Sequence, residues 1–438
     1  MPNFVRGLED YLFHANFLYA MKVLWISNII FPELCDRLGM PTPVVGGWMQ
    51  PAAEALLERE DALELAVVSF YQGDSLQVFS DSCIRYYLVP EKTTKSLLYD
   101  ARVEHFLKLV NDDFKPDLVH IHGTEYGHSL AQIRACGSEK TVVSIQGLVH
   151  YYKNHYFGGI SERELIKCRT FRDIVRRDSL FNQRNRMAKR GLLEVELLKS
   201  VRHVIGRTSW DKACVWVLNP NANYHSCNET LRDGFYNKQW QHDNCRPHTI
   251  FLSQGHYPLK GLHQLIKSLP LILREYPDTE VYVSGHNLFS GLPFWRKNGY
   301  ANFVQKLLVQ LGVTEKVHFL GQLSEEQMIA EYMNAHVFVC PSAIENSPNS
   351  VGEAQLLGTP VVASYVGGTM DMVKDNETGF LYRFEEISLL AQRVCELFAN
   401  RDLCNRLSVQ ARIAAIQRHC KEINAAALLG IYDKIVSC

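Results

Sequence analysis

A chain of 438 residues exceeds what one hydrophobic core organises and predicts two domains of about 200 residues each. Its 47% hydrophobic and 21% charged residues are in globular proportion, and no run of about 18 apolar residues is present to span a bilayer, which argues against a transmembrane enzyme. A formal net charge of -1 gives no global pull toward nucleic acid, and twelve cysteines scattered singly predict reduced thiols in a cytoplasm rather than a disulfide framework.

Residues 1–20 read as an extension, interrupted by Arg6, Glu9 and Asp10 and lacking a signal peptide's cleavage site, and Met21 reads as a start-like methionine. From there short apolar runs alternate with helical stretches, the pattern of parallel strands joined by crossover helices. Strands are predicted at 22–27, 64–69, 117–121, 141–145 and 203–206. The regularity lapses over 213–249, where Asn219, Pro220, Asn221 and Asn223 cluster, and resumes with Thr249 to Ser253. Strands follow near 280–284, 316–320, 336–340 and 360–364, with helices at 262–275 and 324–334 between them.

Several loops carry candidate site residues. Gly46 and Gly47, after the first strand, allow close backbone approach to a ligand. His122 and Gln146 stand at carboxyl-terminal strand ends, where open α/β sheets bind ligands. His150 and Tyr151 begin an aromatic and polar stretch suited either to stacking on a ligand or to core packing. Between residues 169 and 190, Arg169, Arg172, Arg176, Arg177, Arg184, Arg186, Lys189 and Arg190 face only Asp173 and Asp178. With Phe171, Ile174 and Val175 interleaved, this segment reads either as a solvated helix or as a peripheral contact with an anionic membrane.

The most specific motif is Glu345-Asn346-Ser347-Pro348-Asn349-Ser350-Val351-Gly352-Glu353, directly after a predicted strand. Ser347 is suited to cap a helix with Pro348 in its first turn, leaving backbone N–H groups at an N-terminus whose dipole favours phosphate. Two carboxylates about two turns apart can accept hydrogen bonds from different hydroxyl-bearing parts of one elongated ligand, a layout that a nucleotide sugar has. Gly358 ends the helix, and Gly367 with Gly368 permits another close approach after the next strand.

In this motif, the strand that follows it and the glycine pair, the sequence resembles glycosyltransferase family 4, retaining enzymes of GT-B architecture with two Rossmann-like domains facing each other across a cleft. The resemblance implies an α/β protein with an extension over 1–20, an acceptor-binding domain over 21–242, a nucleotide-sugar-binding domain over 243–415 and a C-terminal helix over 416–438 returning toward the first domain. It implies that Glu345 contacts the donor sugar, Glu353 the ribose, and the amides around Asn349, Ser350 and Val351 the diphosphate. Lys260 matches the family's phosphate-binding lysine; the arginine expected five residues earlier is Gly255, for which His256 or Arg207 is the candidate substitute. Gly46, Gly47, Gly367 and Gly368 join the donor site, and His122, Gln146, His150 and Tyr151 the acceptor site.

The activity implied is metal-independent, retaining transfer of a sugar from a nucleoside-diphosphate sugar to a saccharide or lipid-linked acceptor, without a cofactor, in surface polysaccharide or glycan biosynthesis. A cytoplasmic location, peripheral at the membrane face, goes with it. A nucleotide-sugar epimerase of the same architecture and a catalytically silent nucleotide-sugar-binding subunit stand as alternatives.

Overall fold

The computed structural model of the chain describes residues 20–40, 47–60, 63–80, 83–91, 99–289 and 297–437. The extension before Met21 lies outside them except for residue 20, and so does Gly46. Two sheets organise the rest. The first comprises β1 (Met21–Ser27), β2 (Leu63–Gln72), β3 (Gln77–Ser80), β4 (Ile84–Glu91), β5 (Leu118–His122), β6 (Thr141–Ser144), β7 (His203–Gly206) and β8 (Asn223–Ser226), in the order β3-β4-β2-β1-β5-β6-β7-β8. All pairs are parallel except β3 with β4.

Side-chain alternation along β1 shows why such strands read as continuous apolar runs. Leu24 and Ile26 pack on one face under helices Ala101–Phe114 and Gly127–Cys136, while Val23 and Trp25 pack on the other against helix Met49–Leu57. Both faces are covered, so both residue sets must be apolar.

The second sheet comprises β9 (Thr249–Leu252), β10 (Glu280–Ser284), β11 (Val317–Gly321), β12 (Val337–Cys340), β13 (Val361–Ser364) and β14 (Phe380–Tyr382), all parallel, in the order β11-β10-β9-β12-β13-β14. Strand order reverses between β9 and β12, and the crevice beyond the carboxyl ends of those strands is where such sheets bind ligands. In the first sheet the reversal falls between β1 and β5.

Two segments pack away from the domain in which the chain order would place them. Between β6 and β7 the chain leaves the first sheet, and Tyr156, Ile160, Leu165 and Cys168 enter the core beneath the second. Asn302 fixes this strap by donating to the Cys168 carbonyl at 3.0 Å, and helix Leu180–Ser200 carries the chain back. An undivided first domain over 21–242 therefore needs correction: apolar residues of 156–168 pack on whichever core accepts them, and local pattern does not say which.

The last helix, Lys421–Val436, runs under the first sheet, where Ala425, Ile431, Tyr432 and Ile435 join the layer of Val23 and Trp25. Trp25 Nε1 donates to the Tyr432 hydroxyl at 2.9 Å, and that hydroxyl also meets His120 Nδ1 at 2.6 Å. The helix thereby satisfies polar atoms that the sheet buries.

Candidate active site

A cavity of about 620 Å³ opens between the domains at the carboxyl ends of β9 and β12. Its wall combines Gly47, Trp48 and Gln146 of the first domain with Lys260, Glu345, Asn349, Ser350 and Glu353 of the second. The elements that position them are short. Tyr257–Gly261 folds as a single turn in which Gly261 adopts φ +71, with no room for a side chain against the Pro341 carbonyl. That close approach sets Lys260 beside the loop after β12.

At one end of the cavity Lys260 Nζ donates to Glu345 Oε1 at 2.6 Å, and Ser342 Oγ donates to the same oxygen at 2.7 Å. Burial alone would lower the Lys260 ammonium, but the Glu345 carboxylate raises it above its ordinary value, so it is held charged. Gly367 and Gly368 support this carboxylate from behind. Side chains there would strike the Glu345 and Asn346 carbonyls, and Gly368 N–H donates to Glu345 O at 3.0 Å. They shape the Glu345 loop and are not part of the cavity wall.

At the other end Arg232 donates twice to Glu353 Oε1, from Nη2 at 2.6 Å and from Nε at 3.1 Å. Burial pushes the Glu353 carboxyl above its ordinary value, and Arg232 works against that rise. Between the two ends lies the start of helix Asn349–Leu357. Pro348, with an extended ψ of 112°, is the residue before it, so the expected cap at Ser347 is displaced by one position and the Ser347 hydroxyl meets Met372 Sδ instead. No side chain among the described residues caps this N-terminus. Asn349 and Ser350 face the cavity, and Val351 is buried behind them.

Arg232, on the segment joining the two sheets, has no precedent in the sequence reading. It supplies the second cation of the cleft. A side chain at Gly255 would come within 2.9 Å of Val283 and Leu262, so this packing has no space there for the expected arginine. Neither candidate substitute takes its place. His256 is lowered to about 4 by burial, His286 and Lys260, which leaves it neutral near pH 7. Arg207 pairs with Glu229 at 2.6 Å and donates to Gln146 Oε1 at 3.2 Å, outside the main cavity. Gly47 makes way for Arg232, since a Cβ there would stand 2.9 Å from its Cδ.

Behind Trp48 and Gln146 a smaller hollow of about 50 Å³ is lined by His122, Arg207 and Glu229. Neither ring nitrogen of His122, nor Gln146 Nε2, finds a hydrogen-bond partner among the described residues. Burial, with His120 and Arg207 nearby, holds His122 well below its ordinary value and so neutral. His150 and Tyr151 lie elsewhere: the His150 backbone N–H donates to Glu194 at 2.7 Å, and Tyr151 packs against Trp210. Their neighbour Tyr152 stacks on Trp210 with ring centroids 6.0 Å apart.

Residues 236–414 match the family described as glycosyl transferases group 1. The chain is 30% identical over 144 residues to D-inositol 3-phosphate glycosyltransferase of Corynebacterium urealyticum, a match covering 33% of each chain, so it spans about a third of that relative's length. Sucrose-phosphate synthase of Thermosynechococcus elongatus superposes with a TM-score of 0.69 at 17% identity, covering 95% of this chain and 99% of that one. Anabaena HepE in complex with UDP-glucose superposes with a TM-score of 0.64 at 17% identity, covering 94% and 100%. The architecture is GT-B: two Rossmann-like α/β domains facing each other across a cleft.

Proposed function

We propose, from the match of residues 236–414 to the family described as glycosyl transferases group 1, that the protein is a retaining glycosyltransferase that uses a nucleoside-diphosphate sugar as donor and a saccharide or lipid-linked acceptor. One observation carries the reading: a buried carboxylate stands at each end of a single cavity, one of them paired with a charged lysine, with an uncapped helix start between them. Glu345 receives the hydroxyls of the transferred sugar and Glu353 those of the ribose. The diphosphate lies over Asn349 and Ser350, where the helix dipole and backbone N–H groups favour negative charge. HepE, whose structure holds UDP-glucose, is a precedent for such a donor.

Lys260 is the catalytic cation. As the glycosidic bond to phosphate breaks, charge accumulates on the diphosphate, and a positioned ammonium stabilises it. The acceptor hydroxyl attacks from the face the phosphate leaves and gives its proton to that phosphate, which retains configuration; neither carboxylate acts as nucleophile, and no metal is required. Gln146 and His122 form the acceptor side, where a neutral imidazole and an amide hydrogen-bond sugar hydroxyls. A biosynthetic role in a surface glycan, at the cytoplasmic side of the membrane, follows from an acceptor of this kind.

The test begins with uridine- and guanosine-diphosphate sugars screened for thermal stabilisation, since a ligand of the folded state raises the melting temperature. The stabilising donor is then assayed with and without acceptors and with chelator present. Lys260→Met should lower turnover by about a hundredfold. A folded Lys260→Met protein with near-normal turnover would refute the role of the lysine, and conversion of the nucleotide sugar without acceptor would replace transfer by epimerisation.

A further inference from the structure

The strap contains a helix that is inside out. In Phe171–Val175 the residue facing the protein is Asp173, 1% exposed, whereas Phe171, Ile174 and Val175 are 74%, 53% and 64% exposed. A surface helix ordinarily buries its apolar side. Ile166, on the preceding helix Glu162–Cys168, is 62% exposed and extends the apolar surface along the strap. Single exposed apolar residues are common, but several within one short stretch mark a contact surface.

The structure divides the basic run into two parts. Arg184 lies over Phe157, Arg186 pairs with Asp178, and Arg190 donates to the Glu125 carbonyl, so those three are occupied by the fold. Arg169, Arg176 and Arg177 are exposed and their side chains have no partner among the described residues. Of the acidic groups of the stretch three are engaged by the fold, and the exposed Glu162 stands at the far end of the preceding helix. Asp173 and Asp178 are both held by Arg172, and Glu164 closes its own helix start with Ser161. Arg172 and Arg176 also line a hollow with Lys297 and His286, and His286 belongs as well to the wall of the interdomain cavity.

We infer that the exposed face of the strap, Ile166, Phe171, Ile174 and Val175 with Arg169, Arg176 and Arg177, docks the protein on an anionic lipid bilayer. Apolar side chains within a ring of unpaired arginines match an interface whose headgroups are negative and whose depth is hydrocarbon. No helix among the described residues is long and apolar enough to cross a membrane, so the contact is peripheral. The strap is packed into the second domain through Leu165 and Cys168, which presents this face on a rigid support. Through His286 the docked surface adjoins the cavity.

The full chain is mixed with vesicles of phosphatidylcholine alone and of phosphatidylcholine with phosphatidylglycerol, and sedimented at low and high salt. Wild-type protein should pellet only with the anionic vesicles and be released by salt. The F171S/I174S/V175S variant should lose about tenfold or more in bound fraction at low salt, and the R169Q/R176Q/R177Q variant should weaken by roughly fivefold per charge. Thermal stabilisation by nucleoside diphosphates, measured on each protein, should be unchanged. Wild-type protein remaining in both supernatants, or an apolar variant that binds as wild type does, would overturn the inference. So would a wild-type dimer in sedimentation velocity that the apolar variant abolishes, since the face would then bind a second copy. Vesicle binding as expected with no nucleotide stabilisation in any protein would reject the proposed function and leave the docking surface standing.

Discussion

The two carboxylates of the cleft face different partners, and single substitutions should separate their duties. Glu353→Gln keeps size but weakens a charge-assisted acceptor at the proposed ribose end, so affinity for free nucleoside diphosphate should fall by about 1–3 kcal/mol. Glu345→Gln should leave that affinity nearly intact and lower the rate constant of transfer, because its proposed partner is the sugar being moved. Calorimetry and transfer kinetics measure the two effects; equal weakening of nucleotide binding by both substitutions would sink the division. A third carboxylate reports on the fold. Glu194 accepts from Thr124 Oγ1 at 2.5 Å and from His150 N–H at 2.7 Å, yet burial raises its carboxyl from 4.5 to about 7. The folded state therefore holds this proton more tightly than the unfolded chain. Its stabilising contribution is complete below about 4.5 and is lost as pH rises through about 7. Across that window the wild-type melting temperature should fall relative to that of Glu194→Gln, and parallel profiles would place the ionisation elsewhere.

Helices and strands differ in how much of themselves they write into local sequence. The runs at β1, β2, β9, β10, β12 and β13 are apolar on both faces, and their positions are legible because burial on both sides leaves no alternative composition. The sequence reading does not include β3, β4, β8 or β14. Edge strand β8 is Asn223–Ser226, wholly polar or half-buried, and it is a strand only because β7 offers it a hydrogen-bonding edge. In the site, the Glu345 to Glu353 spacing and Lys260 are readable for a similar reason: each lies in one loop whose glycines and proline state its geometry. Arg232 is not readable, since what brings it to the cleft is the packing of distant segments. Helix Lys421–Val436 shows the same dependence. Tyr432→Phe removes a single oxygen but leaves the Trp25 N–H and a His120 nitrogen buried without that partner, at a cost of about 1–3 kcal/mol. Thermal or urea unfolding measures it, and an unchanged midpoint would mean that water replaces the hydroxyl.

At the scale of the whole molecule, the cleft is enclosed by contacts that couple its two walls. Thr208 Oγ1 donates to Asn346 Oδ1 at 2.7 Å across the domains, and Ser209 meets Asp371 at 2.9 Å. The linker sends Arg232 into the same cleft, so a ligand there touches both domains and the segment that joins them. Binding should accordingly raise the melting temperature of the molecule as one cooperative unit. The strap and the last helix add a topological consequence. The first half of the chain lends 156–168 to the core of the second, and the second lends 421–436 to the sheet of the first. This is a reciprocal exchange of parts, the arrangement by which swapped dimers hold together, here closed within one polypeptide. The peptide bond between the halves is then dispensable to their association. Co-expressed as 1–238 and 239–438, the two fragments should copurify as a stoichiometric complex and regain nucleotide binding, whereas either alone should aggregate for want of the piece the other carries.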